Sequence, residues 1–208
     1  MMNRRVHRIL SVFLLLFFLP PTTHGALPKQ RPYTGSGLLL MRPPAPRDEP
    51  DTPATLIFYR EPGVGRVVER GYGDIPLLIQ IVEPSPWEYP AAAMGKKGGW
   101  LNIAYDGAGR TGWVEGMRRW SYVSWEEYLP GRTARFLPWL KKGHYLLRGG
   151  PSAAARELKA LDAASAVLIN RVEGDWMRVT VVPDTEGWLR WRDEEGRFLI
   201  TVRPVRAP

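Results

Sequence analysis

A chain of 208 residues with no cysteine and only three histidines cannot build a disulfide framework, a Cys/His zinc site or a Cys–His nucleophile pair. Its 29 Lys+Arg against 21 Asp+Glu give a formal charge of +8, carried in short pairs such as Arg118-Arg119 and Lys141-Lys142 and interrupted by Glu126-Glu127. This reads as a mixed, solvated basic surface without the long basic stripe of a nucleic-acid partner, with attraction to an anionic polymer such as lipid headgroups or wall polymer as the alternative.

The N-terminus reads as a signal peptide over residues 1–25. Arg4, Arg5 and Arg8 precede an apolar run from Ile9 to Leu19, and Thr23 and Gly25 place a cleavage site before Ala26. The run has 11 residues, short of the roughly 20 that a bilayer crossing needs. General secretion fits better than the twin-arginine route, with an uncleaved anchor as the alternative. Cleavage would lower the formal charge by three, from +8 to +5, and would leave no integral membrane segment. The expected location is therefore the periplasm or cell envelope. An exported chain without disulfides must rest on its cores, for which nine Trp, eight Tyr and six Phe are available.

Residues 26–53 are rich in proline, poor in aromatics and predicted to form an extended tether. Gly35 to Met41 interrupts it with an apolar run that suits either a docked edge strand or a partner-binding site. A first domain is predicted over residues 54–120. Thr55 to Arg60 and Val64 to Glu69 read as strands joined by Glu61-Pro62-Gly63, and Ile75 to Val82 as a strand buried on both faces. Glu83 to Gly99 contains three prolines and reads as a long irregular loop, with Trp87 and Tyr89 as interaction candidates if exposed, or with Trp87 folded back over the barrel's open end.

Two segments answer each other. In GWLNIAYDGAGRTGWV, from Gly99 to Val114, Leu101, Ile103 and Tyr105 alternate with Asn102 and Ala104. In DWMRVTVVPDTEGWL, from Asp175 to Leu189, Met177, Val179 and Val181 alternate with Arg178 and Thr180. Trp100 precedes Trp113 by 13 residues and Trp176 precedes Trp188 by 12, so two hairpins differ by one residue at the turn. Between the copies, residues 121–142 read as an ordered aromatic connector, with Ser124 and Glu127 spaced as a capping box. A second domain is predicted over residues 143–205, with strands at Tyr145 to Arg148, Ala166 to Val172, Asp175 to Val182, Glu186 to Arg190 and Phe198 to Val202.

The order Leu147-Arg148, Gly150-Pro151-Ser152, Glu173 to Trp176 and Gly187-Trp188-Leu189 resembles the bacterial SH3 (SH3b) family. Gly99-Trp100 and Gly112-Trp113-Val114 match it in the first half, where Tyr59 to Gly63 stands at the opening. The resemblance implies an all-β fold of two small SH3-like barrels in tandem and, for the stretch from Ala153 to Leu161, an irregular loop and strand rather than a helix. From Arg60 to Trp100 is 40 residues and from Arg148 to Trp176 only 28, so the first copy carries about a dozen more.

The mature chain would keep one histidine, His144, on which every histidine-dependent dyad would depend; a structural role suits it better. Asp193-Glu194-Glu195 and the Asp48, Glu49, Asp51 group read as solvated turns. The chain is therefore expected to be non-catalytic, with no metal and no cofactor. Bacterial SH3 modules bind cell-wall peptides or protein partners, or fix neighbouring domains, so the resemblance implies a cell-wall peptide or envelope protein as partner. Candidate ligand-binding residues are Tyr59, Trp87, Tyr89 and Trp191 for a groove. Trp113 and Trp188, in the Gly-Trp pairs, suit a core as well as a groove.

Overall fold

The run GLLLM is short, carries three leucines and is bounded by a glycine, and it forms the first strand, β1 (Gly37–Met41). The molecule is described here from a computed structural model, which covers residues 34–42, 55–82 and 88–203. The expected signal peptide, most of the expected tether and Trp87 lie outside the described residues.

Thirteen further strands follow: β2 (Thr55–Glu61), β3 (Val64–Gly71), β4 (Tyr89–Lys97), β5 (Trp100–Ala104), β6 (Thr111–Glu115), β7 (Ser121–Ser124), β8 (Thr133–Phe136), β9 (Leu146–Arg148), β10 (Glu157–Ala160), β11 (Ala166–Glu173), β12 (Trp176–Val181), β13 (Thr185–Arg190) and β14 (Ile200–Arg203). They form two antiparallel sheets of seven strands, ordered β3-β2-β6-β5-β4-β1-β7 and β10-β9-β13-β12-β11-β8-β14. Counting from β1 in one and from β8 in the other, the two orders are the same. The chain is all-β, and its two halves repeat one topology.

Register makes the equivalence specific. Trp113 pairs with Asn102 and with Tyr59, and Trp188 pairs with Arg178 and Arg148. Both sheets break register once between β2 and β3 or their counterparts, and once between β4 and β5 or theirs. Such bulges bend a strand and increase its twist, and each appears in both halves at the same place.

Glycine at the Gly-Trp pairs has a steric cause. A Cβ on Gly187 would stand 2.5 Å from Leu147 Cγ and 2.9 Å from the Arg148 carbonyl oxygen, and one on Gly112 would stand 3.1 Å from Phe58 Cβ. The strand bearing Trp must approach its neighbour closely, and only glycine leaves room.

The first core gathers Leu39, Met41, Leu56, Phe58, Leu101, Ile103 and Val114 on one face of the first sheet. The second gathers Leu147, Ile169, Met177, Val179, Leu189 and Trp191, and it also takes in Leu38, Val82, Trp125 and Leu129 from the first half. Strand β1 is thus buried on both faces: Leu39 and Met41 in one core, Leu38 and Leu40 against the other. That explains its unbroken apolar run.

Three sequence expectations change. Ile75 to Val82 forms no strand. Pro76 lacks an N–H, and the Ile81 and Val82 amides both donate to Leu78 O, at 2.9 and 2.8 Å, closing a turn. Its ends still bury, Ile75 in the first core and Val82 in the second. The span Glu83 to Gly99, read as irregular, holds β4, whose buried Ala91, Ala92 and Ala93 fit between layers. The extra residues of the first half precede it: 17 residues separate β3 from β4, while five separate β10 from β11. Finally, the apolar run within the expected tether is a docked strand, β1, but it lies between β4 and β7 rather than at the sheet edge, and β7 and β8 fall within the stretch read as a connector.

The junction is built from that connector. Ser124 Oγ accepts from the Glu127 amide at 3.2 Å and Glu127 Oε2 accepts from the Ser124 amide at 3.2 Å, capping the one-turn helix α1 (Trp125–Tyr128). Trp125 is 1% exposed, with its ring centroid 5.7 Å from Trp191 and 5.2 Å from Phe198. Its indole donates to Thr34 O at 2.6 Å, and Arg192 Nη1 donates to Gly35 O at 3.1 Å. Val202 N donates to Ile81 O at 2.7 Å. No helix among the described residues is long and apolar enough to cross a membrane.

Candidate recognition faces

Alternation along β2, β5 and β6 sends Phe58, Leu101, Ile103 and Val114 inward, so Ile57, Tyr59, Trp100, Asn102, Trp113 and Glu115 share the outer face. Tyr59 and Trp100 meet edge to face with ring centroids 5.5 Å apart. Trp113, half-buried, lies beside them in register with Tyr59 and Asn102. Its Cη2 is 4.0 Å from where a Cβ on Gly95 would stand, so a side chain there would close over the indole. Along the same strands runs a groove of about 310 Å³ lined by Thr55, Ile57, Tyr59, Glu115 and Met117.

The counterpart face of the second half has the same scaffold and opposite chemistry. Register places Arg148 where Tyr59 stands, Arg171 where Gly95 stands, Arg178 where Asn102 stands and Arg190 where Glu115 stands. The Arg171 guanidinium lies 5.1 Å from the Trp188 ring centroid and that of Arg190 lies 5.1 Å from Trp176. Trp188 is consequently 7% exposed. Each arginine also meets a carboxylate: Arg148 with Glu157 at 3.5 Å, Arg171 with Glu173 at 2.8 Å, Arg178 with Glu186 at 2.6 Å, and Arg190 with Glu194. A smaller pocket of about 120 Å³, lined by His144, Leu146, Arg148, Trp176, Arg190 and Glu194, opens here.

Burial pushes the His144 imidazole below its ordinary pKa, against the opposing pull of the Glu194 and Asp193 carboxylates, while Arg190 and Lys141 add to the lowering. The neutral form of the ring is thereby favoured. Desolvation, the largest single effect on Asp106, raises its pKa, but the hydrogen bonds it accepts from the Arg110 amide and guanidinium and from the Ala108 amide, with the Arg110 charge, together outweigh it and hold the carboxyl below its ordinary value. It shapes the β5–β6 turn. Among the described residues, no three His, Asp or Glu side chains gather as a metal site.

Of the residues singled out in the sequence, Tyr59 and Trp113 come together. Tyr89 does not join them. It packs against the first core with its ring centroid 6.4 Å from that of Tyr72. Trp188 is covered by Arg171. Trp191, expected in a groove, is 0% exposed and donates its indole N–H to Gly174 O at 2.8 Å, so it belongs to the second core. The residues missed are Trp100, Ile57 and Met117 in the first half and Trp176 with the arginines in the second. Extending the alternation of LNIA back by one position puts Trp100 on the Asn102 face, so that signal was present. Compared with protein-family models and with curated proteins, the chain matches none.

Proposed function

We propose that this chain is an exported, non-catalytic recognition protein of the cell envelope, that its two halves are bacterial SH3-like barrels, and that the outer face of the first half takes a peptide-like ligand, either a peptidoglycan stem peptide or an extended segment of a partner. The observation that carries this reading is the outward cluster of Tyr59, Trp100 and Trp113 beside an open groove of about 310 Å³. Rigid aromatics lose little conformational freedom on binding and dominate recognition surfaces. Glu115 at the groove margin would receive a ligand amine or amide.

Co-sedimentation with purified peptidoglycan tests it. The wild type is expected in the pellet, and the Tyr59→Ala, Trp100→Ala double variant to be retained about tenfold less, as loss of a recognition aromatic costs upwards of about 1–2 kcal/mol. Wild type in the supernatant contradicts the peptidoglycan form of the reading. A second reading, a structural scaffold without small ligand, is favoured by the junction at Trp125, where the halves share a core. Under it, the double variant functions as wild type does.

A further inference from the structure

The second half's pocket holds two arginines, each paired with one carboxylate, but the pairing at Arg190 is incomplete. Arg190 lines it, stacked on Trp176, and its Nε is buried with no hydrogen-bond acceptor among the described residues. Its one carboxylate neighbour, Glu194, has a side chain 75% exposed on the turn Asp193 to Gly196, whereas the Arg190 side chain is 17% exposed. A guanidinium held in place by an indole and capped by a carboxylate reaching in from solvent has the form of a site whose anion can be exchanged. Arg148, with a side chain 13% exposed and already held by Glu157 and the Ala155 carbonyl, adds a second positive charge, and the His144 ring lines the wall. The remaining wall is Leu146, Ala153 and Gly143, so the space of about 120 Å³ beside Arg190 is bounded by small and apolar groups.

We propose that this pocket binds the terminal carboxylate of a peptide ending in a small apolar residue, with the carboxylate displacing Glu194 from Arg190. The inference rests on the reading above for the peptide character of the ligand and adds a second, chemically distinct contact to it. Free oxyanions share part of this chemistry, so the test separates them.

Isothermal titration of the full chain with N-acetyl-alanyl-alanine, its C-terminal amide and inorganic phosphate gives the answer. The free acid should bind and the amide about tenfold or more weaker, since a charged hydrogen bond is lost. Arg190→Gln should weaken the acid by a similar factor. Glu194→Gln, on an exposed turn where folding is not at risk, should tighten it several-fold by removing the internal competitor. Acid and amide binding alike, or a Glu194→Gln variant no tighter than wild type, overturns the proposal, as does phosphate binding as tightly as the acid. The Tyr59→Ala variant should bind the acid as wild type does. Dependence on Tyr59 with indifference to Arg190 sinks this inference and leaves the first-half reading standing.

Discussion

Gly187 and Gly112 hold equivalent places, yet the space around them differs, and that difference predicts a ranking. At Gly187 an added methyl group meets both the fully buried Leu147 and the Arg148 carbonyl at 2.9 Å, and the backbone has no room to retreat. At Gly112 the nearest atoms start at 3.1 Å. Gly187→Ala should cost about 1–3 kcal/mol, the usual range for overpacking, and Gly112→Ala less, read as the midpoint and slope of urea unfolding. His144 gives a second prediction. Because folding depresses its pKa, the folded state resists the proton that the unfolded chain accepts. Stability contributed by the neutral ring is therefore full above the unfolded value of about 6.5 and is lost as pH falls below it towards the folded value. A proton NMR titration of the His144 ring should show a midpoint under 6.5, and Glu194→Gln should lower it further by removing a carboxylate that favours the charged form.

Strands buried on one face were legible by their alternation; β1, buried on two, was legible only as an apolar run that could dock as an edge strand. The hairpins of β5–β6 and β12–β13 announce themselves because Leu101, Ile103, Met177 and Val179 recur at every second position around tight turns, and Ser124 with Glu127 announces α1 by its cap. Strand β1 shows no alternation because Leu38 and Leu39 face different cores, and nothing local says that a second core waits on the far side. Strand β4 was hidden by Pro90 and a run of alanines. Pro90 is tolerated near the strand start, where it pairs with Leu40 and its carbonyl accepts from Leu78 N at 2.8 Å. Conversely, Ile75 to Val82 looked like a strand because it is apolar throughout, and Pro76 was the signal to the contrary. At the candidate site, Tyr59 and Trp113 were legible, while Trp191 was misplaced because an aromatic after a strand reads alike whether it turns inward or outward. Leu38→Ala tests the two-faced strand. Leu38 is fully buried in the second core, so its truncation should cost about 2–5 kcal/mol in total stability although it lies some hundred residues from most of that core.

At the scale of the molecule, two copies of one seven-stranded sheet are joined by a shared core, and their equivalent outer faces have diverged, aromatic with a glutamate in one and arginine-rich in the other. The joint at Trp125 predicts that the halves unfold together: a single transition, coincident by fluorescence and circular dichroism, with Trp125→Ala lowering stability by about 3–5 kcal/mol. The most direct test of the recognition account reads the indole N–H signals of the nine tryptophans while soluble peptidoglycan fragments are added. The signals of Trp100 and Trp113 are expected to move, while those of Trp125 and Trp191, buried at the junction and in the second core, stay in place. Spectra in which Trp100 and Trp113 do not respond, or in which only the buried indoles do, would contradict it.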